Sequence, residues 1–233
     1  MKTYGQFCPV AKAAELFCER WTPLIVRDLS VRPCRFSQLQ RGVPLMSPTM
    51  LSKRLKQLEA EGIVEKVPAV TGRGHIYRLT EAGAEFVPLV QGLAVWGRRW
   101  ARRALEQHEV DLGLLLWSIE RSADPGALGS GRSVVQLELT DQPAHKRHWW
   151  YLNEAGSCVM CVDDPGHDID LYLTTTLPEM IHIVLGDIRL EAALDDGRLE
   201  AIGAAKARAG LRQWLSLGPL AEVPAVRPEL AAI

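Results

Sequence analysis

Apolar residues recur in this chain at two different periods, and the change from one to the other fixes the fold class. Up to about residue 106 they return every three or four positions; from about residue 133 they fall on every second position. The first spacing lays a stripe along a helix and the second lays one face along a strand. A chain that does both in succession is neither all-helical nor all-strand. The expected class is therefore α+β, with two modules in tandem.

The helical part is punctuated by start and stop signals. Val10, Ala13, Ala14, Leu16 and Phe17 form one stripe, and Leu24, Ile25, Val26 and Leu29 a second, with Thr22-Pro23 between them as a capping hydroxyl followed by proline. Ser37 with Gln40 predicts a capping box for a short helix that Gly42 ends. Ser47-Pro48 predicts a longer helix in which Leu51, Leu55 and Leu58 recur until Gly62 stops it. Residues 63–67 and 75–79 read as strands joined by the basic, glycine-rich turn Thr71-Gly72-Arg73-Gly74. Thr80 then caps a long helix from 81 to about 106, apolar along Phe86, Leu89, Val90, Leu93, Trp96 and Trp100, with Pro88 as a candidate kink. Helix, helix-turn-helix, hairpin and terminal helix in that order read as a winged helix-turn-helix whose last helix offers a dimer surface.

After a helix at about 112–122 the pattern alternates: Val135, Leu137, Leu139; Trp149, Tyr151; Val159, Cys161; Ile169, Leu171, Leu173. Turn residues at 153–156 and 164–166 separate these runs, which read as an antiparallel meander. Thr176 and Glu179 form a capping box opening a helix over 177–185 that Gly186 ends. A short helix, a strand around 198–202 and a helix ending near 215 follow. The expected domains are 1–110, 111–217 and a tail, 218–233, punctuated by three prolines.

The net charge of −1 conceals an asymmetry. Residues 1–110 carry 17 basic and 10 acidic side chains, and residues 111–233 carry 10 and 18, so the modules are +7 and −8. A basic module is suited to phosphate and an acidic one is not. With 47% apolar and 24% charged residues, the chain is that of a globular protein rather than a disordered or fibrous one. No apolar run approaches the ~20 residues of a membrane helix. The first residues lack an apolar export core, and five cysteines over this length suit a reducing compartment, so a cytoplasmic location away from membranes is expected.

With Leu51, Leu55 and Leu58 turned inward, 100° per residue places Thr49, Lys53, Lys56 and Gln57 on the opposite face, with Ser52 and Arg54 at its flanks. Thr49 and Lys53, toward the N-terminal end, are the candidates for reading base edges; Arg54, Lys56 and the turn residue Arg73 are candidates for holding phosphates. The amides at Ser47 and Thr49 lie at the positive end of the helix dipole and suit a phosphate too.

These segments support a family resemblance. CPVAKAAELFCERWTPLIVRDL, RFSQLQRGVPLMSPTMLSKRLKQLEAEGIVEK and GRGHIYRLTEAG, over residues 5 to about 104, closely resemble the HxlR branch of bacterial winged-helix transcription regulators. The resemblance implies a homodimer on a pseudo-palindromic duplex operator, read by the helix 48–61 with Arg73 in the wing. His75-Ile76 departs from the more usual acidic-bearing strand. The resemblance also draws attention to Cys8, because some relatives use a cysteine there as an oxidant or aldehyde sensor. Its place before Pro9 at a helix start would favour the thiolate.

Over residues 112–217, DIDLYLTTTLPEMIHIVLGD and LEAALDDGRLEAIGAAKARAGLRQWL resemble the sterol-carrier-protein-like fold. That resemblance implies a cavity for a hydrophobic small molecule, lined by Trp149, Tyr151, Met160, Leu171, Leu173, Met180 and Trp214. Other chemistry fails on spacing. Cys158 and Cys161 sit three apart in an expected strand and so point to opposite faces, and His145 and His148 lack a third ligand. Asp168 and Asp170 share a solvated strand face, and no phosphate loop or nucleophile elbow is present. Neither metal, cofactor nor catalysis is expected. The reading is a homodimeric DNA-binding regulator whose second domain senses a hydrophobic effector. The alternative is a small-molecule carrier in which the helix-turn-helix serves dimerisation.

Overall fold

The chain divides into two units, Met1–Ala94 and Val95–Ile233, each with its own core. The computed structural model describes residues 3–69, 72–101, 105–217, 220 and 223. Thr71, Arg102, Arg103 and the remaining tail residues lie outside the described residues.

The first unit contains α1 (Pro9–Phe17), α2 (Thr22–Val31), α3 (Phe36–Gly42), α4 (Pro48–Ala60), the hairpin β1 (Val64–Pro68) and β2 (His75–Leu79), and α5 (Glu81–Glu85). α6 (Val87–Trp96) follows, its last residues lying in the second unit. α4 begins and ends as its sequence dictates. The Ser47 hydroxyl accepts the Met50 N–H at 3.2 Å, Pro48 fills a position whose N–H has no helical partner, and Gly62 at φ +69° leaves the helix in the left-handed conformation. Leu51, Leu55 and Leu58 are at most 2% exposed and pack with Ile25, Leu39 and Met46. Burying three leucines is worth about 1.5–3 kcal/mol each.

The hairpin pairs Val64 with Leu79 through to Pro68 with His75. Cys34 adds a bridge to Tyr77, with N···O distances of 2.8 and 2.9 Å, so the backbone before α3 lies along the edge of β2. Thr80 caps α5 by accepting the Gly83 N–H at 3.1 Å, and its own N–H reaches the Ile63 carbonyl at 3.1 Å. These contacts draw α5 so close to the end of the hairpin that a Cβ at position 83 would lie 2.0 Å from the Ile63 oxygen.

Three local expectations are corrected. Thr22 is the first residue of α2 rather than its cap; Trp21 precedes it at φ +78°, and the Thr22 hydroxyl is buried without a partner among the described residues. α3 starts at Phe36, not after Ser37, because Gln38 reaches back to accept the Arg35 N–H at 2.7 Å and moves the box two residues earlier. The long terminal helix is interrupted. Pro88 has no N–H and its ring crowds the carbonyl four residues before it, so the break falls at Phe86, which instead stacks on Phe17 with centroids 5.2 Å apart. A π-helical turn over Gly97–Ala101 follows α6.

In the second unit α7 (Leu112–Ser122) leads to a five-stranded sheet of β3 (Ser133–Leu139), β4 (His148–Glu154), β5 (Ser157–Cys161), β6 (Leu171–Thr175) and β7 (Glu200–Gly203). α8 (Leu177–Leu185), α9 (Leu190–Asp195) and α10 (Ala205–Trp214) complete the unit. The strand order is β5-β4-β3-β6-β7. The sheet is mixed, not an antiparallel meander: β3, β4 and β5 form a meander, but β6 lies parallel to β3, with Val135 opposite Leu171. Asp170 precedes β6 rather than sharing a strand face with Asp168, and its carboxylate accepts the Val134 N–H at 2.9 Å.

Val135, Leu137, Tyr151, Leu171 and Leu173 form the inner rows against the helices, as their alternation predicts. β5 is the exception. Its register sets Cys158 opposite Asn153 and Met160 opposite Tyr151, so these two face inward while Val159 is 47% exposed. Asn153, fully buried, accepts the Trp214 indole N–H at 2.9 Å and donates to the Ser133 and Tyr151 carbonyls. Tyr151 and Trp214 meet edge to face at 5.4 Å. Burial pushes the Tyr151 phenol well above its ordinary pKa, with nearby Cys158 and Glu120 adding to the shift, and its hydroxyl donates to the Leu116 carbonyl.

Gly83→Ala is expected to destabilise the first unit by about 1–3 kcal/mol, since the added methyl forces the helix away from Ile63. Gly92→Ala, whose methyl meets nothing within 4 Å, is expected to leave stability unchanged or raise it by up to about 1 kcal/mol through helix propensity. Urea unfolding of the two variants measures the contrast.

Candidate nucleic-acid interface

The inward leucines leave α4 with one outward face. Pro48, Thr49, Ser52, Lys53, Lys56, Gln57 and Ala60 line a single open hollow along it. Thr49, Lys53 and Lys56 are exposed; Ser52 and Gln57 are half-buried at its margins. The structure thus brings five of the sequence-derived candidates together on one surface. Ser47 stands at the head of the same helix, its hydroxyl committed to the cap.

Arg54 is placed differently. Its side chain is 14% exposed and its Nη2 lies 2.8 Å from Glu19 Oε2, in the connection between α1 and α2. A phosphate reaching Arg54 has to share it with that carboxylate. Arg73 is exposed at the hairpin tip, away from α4 along the chain but joined to α3 through its main chain: the Arg35 guanidinium donates to the Arg73 carbonyl at 2.7 Å. Arg78 and Glu65, opposite each other across the hairpin, pair at 2.7 Å.

Glu19 and Arg35 escaped the sequence reading. Each acts across 35 or more residues of chain, and no local spacing announces such a pair. Arg98, in the π-helical turn after α6, is turned into its own unit. It pairs with Asp187, donates to the Gly186 carbonyl at 2.6 Å at the negative end of α8, and reaches the Val223 carbonyl. His182 contacts the same carboxylate at 3.0 Å. Burial pulls the Arg98 pKa below its ordinary value.

Cys8 occupies the N-cap position of α1, half-buried, and is a free thiol. Of the seven residues expected to line a cavity, Tyr151, Leu171, Leu173, Met180 and Trp214 are at most 1% exposed in the core of the second unit, and Trp149 and Met160 pack against it partly buried. Neither Cys158 nor Cys161 is in a disulfide; one lies on the inner row and one opposite Trp150. Among the described residues no group of three or more His, Cys, Asp or Glu is arranged to hold a metal ion, and no helix is long and apolar enough to cross a membrane.

Residues 16–105 match the family model described as HxlR-like helix-turn-helix. The HTH-type transcriptional regulator YvaP of Bacillus subtilis, itself uncharacterized, is 35% identical over 99 residues, covering 41% of this chain and 91% of that protein. Rv3095 of Mycobacterium tuberculosis, likewise an uncharacterized HTH-type regulator, is 40% identical over 95 residues, or 40% of this chain; the match spans only 60% of that protein's length. The solved reduced form of the transcriptional regulator YodB from B. subtilis is 33% identical, with a TM-score of 0.36, over 41% of this chain and 95% of that one. The family-model match lies in the N-terminal part of the chain. With nearly the whole of YvaP aligned to it at this identity, the protein belongs to the HxlR-like helix-turn-helix family of transcriptional regulators.

Proposed function

We propose that the protein is a homodimeric regulator that binds a pseudo-palindromic DNA operator through α4 and the hairpin, and that its second unit senses a hydrophobic effector. The observation that carries the DNA-binding part is the single open face of α4. Thr49, Ser52, Lys53, Lys56 and Gln57 share it, and the leucines that fix its direction are shut away from solvent. A helix of this kind enters the major groove with its N-terminal residues nearest the base edges. Thr49 and Lys53 therefore read bases, and Lys56 and Arg73 hold phosphates. Arg54 holds a phosphate only by sharing its guanidinium with Glu19. Family membership weighs against the carrier reading, in which the helix-turn-helix only joins two copies.

Dimerisation is supported by the terminal helix. Leu89, Leu93 and Trp96 of α6, with Trp100 in the turn after it, are 40–58% exposed at helical spacing, an unburied apolar stripe of the sort that marks an interaction surface. For the second unit, the support is the apolar interior between sheet and helices, with Tyr151 and Trp214 at its centre. An effector alters operator affinity only if it binds one state of the dimer better than the other. Cys8 is the proposed redox-responsive position, on the strength of its place at the start of α1.

In gel-shift titrations with a duplex from the protein's own upstream region, Lys53→Ala is expected to change the order of preference among mutated sites. Lys56→Ala is expected to weaken all sites alike and to lower the salt slope by about one. No retardation of any duplex at ~50 mM salt, where phosphate contacts are strongest, overturns the regulator reading. Leu93→Arg is expected to turn a dimer into a monomer in analytical ultracentrifugation and to abolish tight operator binding; an unchanged dimer places the interface elsewhere. An effector entering the second core is expected to alter Trp214 emission relative to a Trp214→Phe control, and a screen of apolar ligands that leaves it unmoved counts against the sensor.

A further inference from the structure

The hairpin between β1 and β2 carries glycine at 72 and 74, both at positive φ, +73° and +102°. A tip built this way is free to take many conformations, and holding it in one is an entropic cost that falls on binding unless the fold meets it beforehand. Within the tip the Ala69 N–H donates to the Gly74 carbonyl at 3.0 Å. Among the described residues a further restraint comes from outside the hairpin, from Arg35.

Arg35 stands where the chain leaves its bridge to β2, one residue after Cys34, and caps α3. Its backbone is thereby fixed on both sides. Its guanidinium extends to the tip, where Nη1 donates to the Arg73 carbonyl at 2.7 Å. Nη2 lies 3.4 Å from where a Cβ on Gly72 would stand, and Nη1 lies 3.5 Å from the corresponding point on Gly74. The planar guanidinium is thus laid against the main chain of three successive residues, a geometry for which a rigid fork is suited and an ammonium is not. The bond engages the Arg73 carbonyl and leaves the Arg73 side chain exposed. Resting on the DNA-binding reading, we propose that Arg35 is a positioning residue for the wing: it fixes the tip so that the Arg73 side chain meets the duplex without first having to be ordered.

Two readouts test this, one of them independent of DNA. The hydrogen-bonded carbonyl belongs to the Arg73–Gly74 peptide, which is a trypsin site, so Arg35→Ala is expected to accelerate cleavage there several-fold at unchanged melting temperature. Arg35→Lys, which keeps the charge and loses the fork, is expected to fall between the two. Cleavage no faster than in the unmodified protein overturns the proposal. In fluorescence anisotropy with a labelled duplex from the protein's upstream region, Arg35→Ala and Arg73→Ala are each expected to weaken binding several-fold and to lower the salt slope by about one. The double variant is expected to match the single Arg73→Ala, because both changes act through one contact. Additive losses and a slope lowered by about two overturn positioning in favour of a direct phosphate contact by Arg35. If the unmodified protein binds no duplex while Arg35→Ala still exposes the Arg73–Gly74 bond, the DNA-binding reading fails and the restraint of the tip by Arg35 stands.

Discussion

The rotation of α4 about its own axis is the constraint on which the first unit's surface depends. Leu51, Leu55 and Leu58 are at most 2% exposed, and turning the helix by half a revolution would expose all three and bury Lys53 and Lys56. At about 1.5–3 kcal/mol per exposed leucine, before the larger cost of burying two unpaired ammonium groups, such a rotation exceeds the whole stability of an ordinary domain. The cationic face is therefore not chosen side chain by side chain. It is what remains once the leucines have been put away, and Ser47, Pro48 and Gly62 set only the length over which it extends.

The same logic explains which parts of the fold were legible in the sequence. Period and punctuation act over one or two turns of chain, so α4, the hairpin, α8 with its Thr176 cap, and the inner rows of β3 and β6 follow from residues read in order. The failures are of two kinds. Some are local competitions with more than one plausible winner: Gln38 rather than Gln40 closes the α3 box, and Pro88 breaks its helix at Phe86, two residues before its own position. Others are contacts the chain makes with itself at long range. The parallel pairing of β6 with β3, the inward turn of Cys158, the capture of Arg54 by Glu19 and the reach of Arg35 to Arg73 all depend on what a segment meets after folding.

For the candidate site, the consequence is uneven. Thr49, Ser52, Lys53, Lys56 and Gln57 were identifiable because one helix carries them all and its buried side is plain. Arg54 belongs to the same helix but lies near enough to the buried side for a carboxylate from another element to take it. The residues around Trp214 were identifiable as apolar and interior. Their close packing, with the indole N–H satisfied by Asn153, was not, because an alternating pattern specifies an inner face and says nothing of what fills the space beyond it.

The parallel pair at the centre of the second sheet also bears on the order in which the units form. In the first unit, β1 and β2 meet across a short turn, while the Cys34–Tyr77 bridge closes a longer loop. In the second, Val135 must find Leu171 to join β6 to the central strand, and Leu173 must find Ala201 to add the edge strand β7. Each of these pairings closes a loop of roughly 30 residues, whose entropy is lost before any packing compensates. Because the first unit leaves the ribosome first, all its segments are available to one another while the strands that follow it are still emerging.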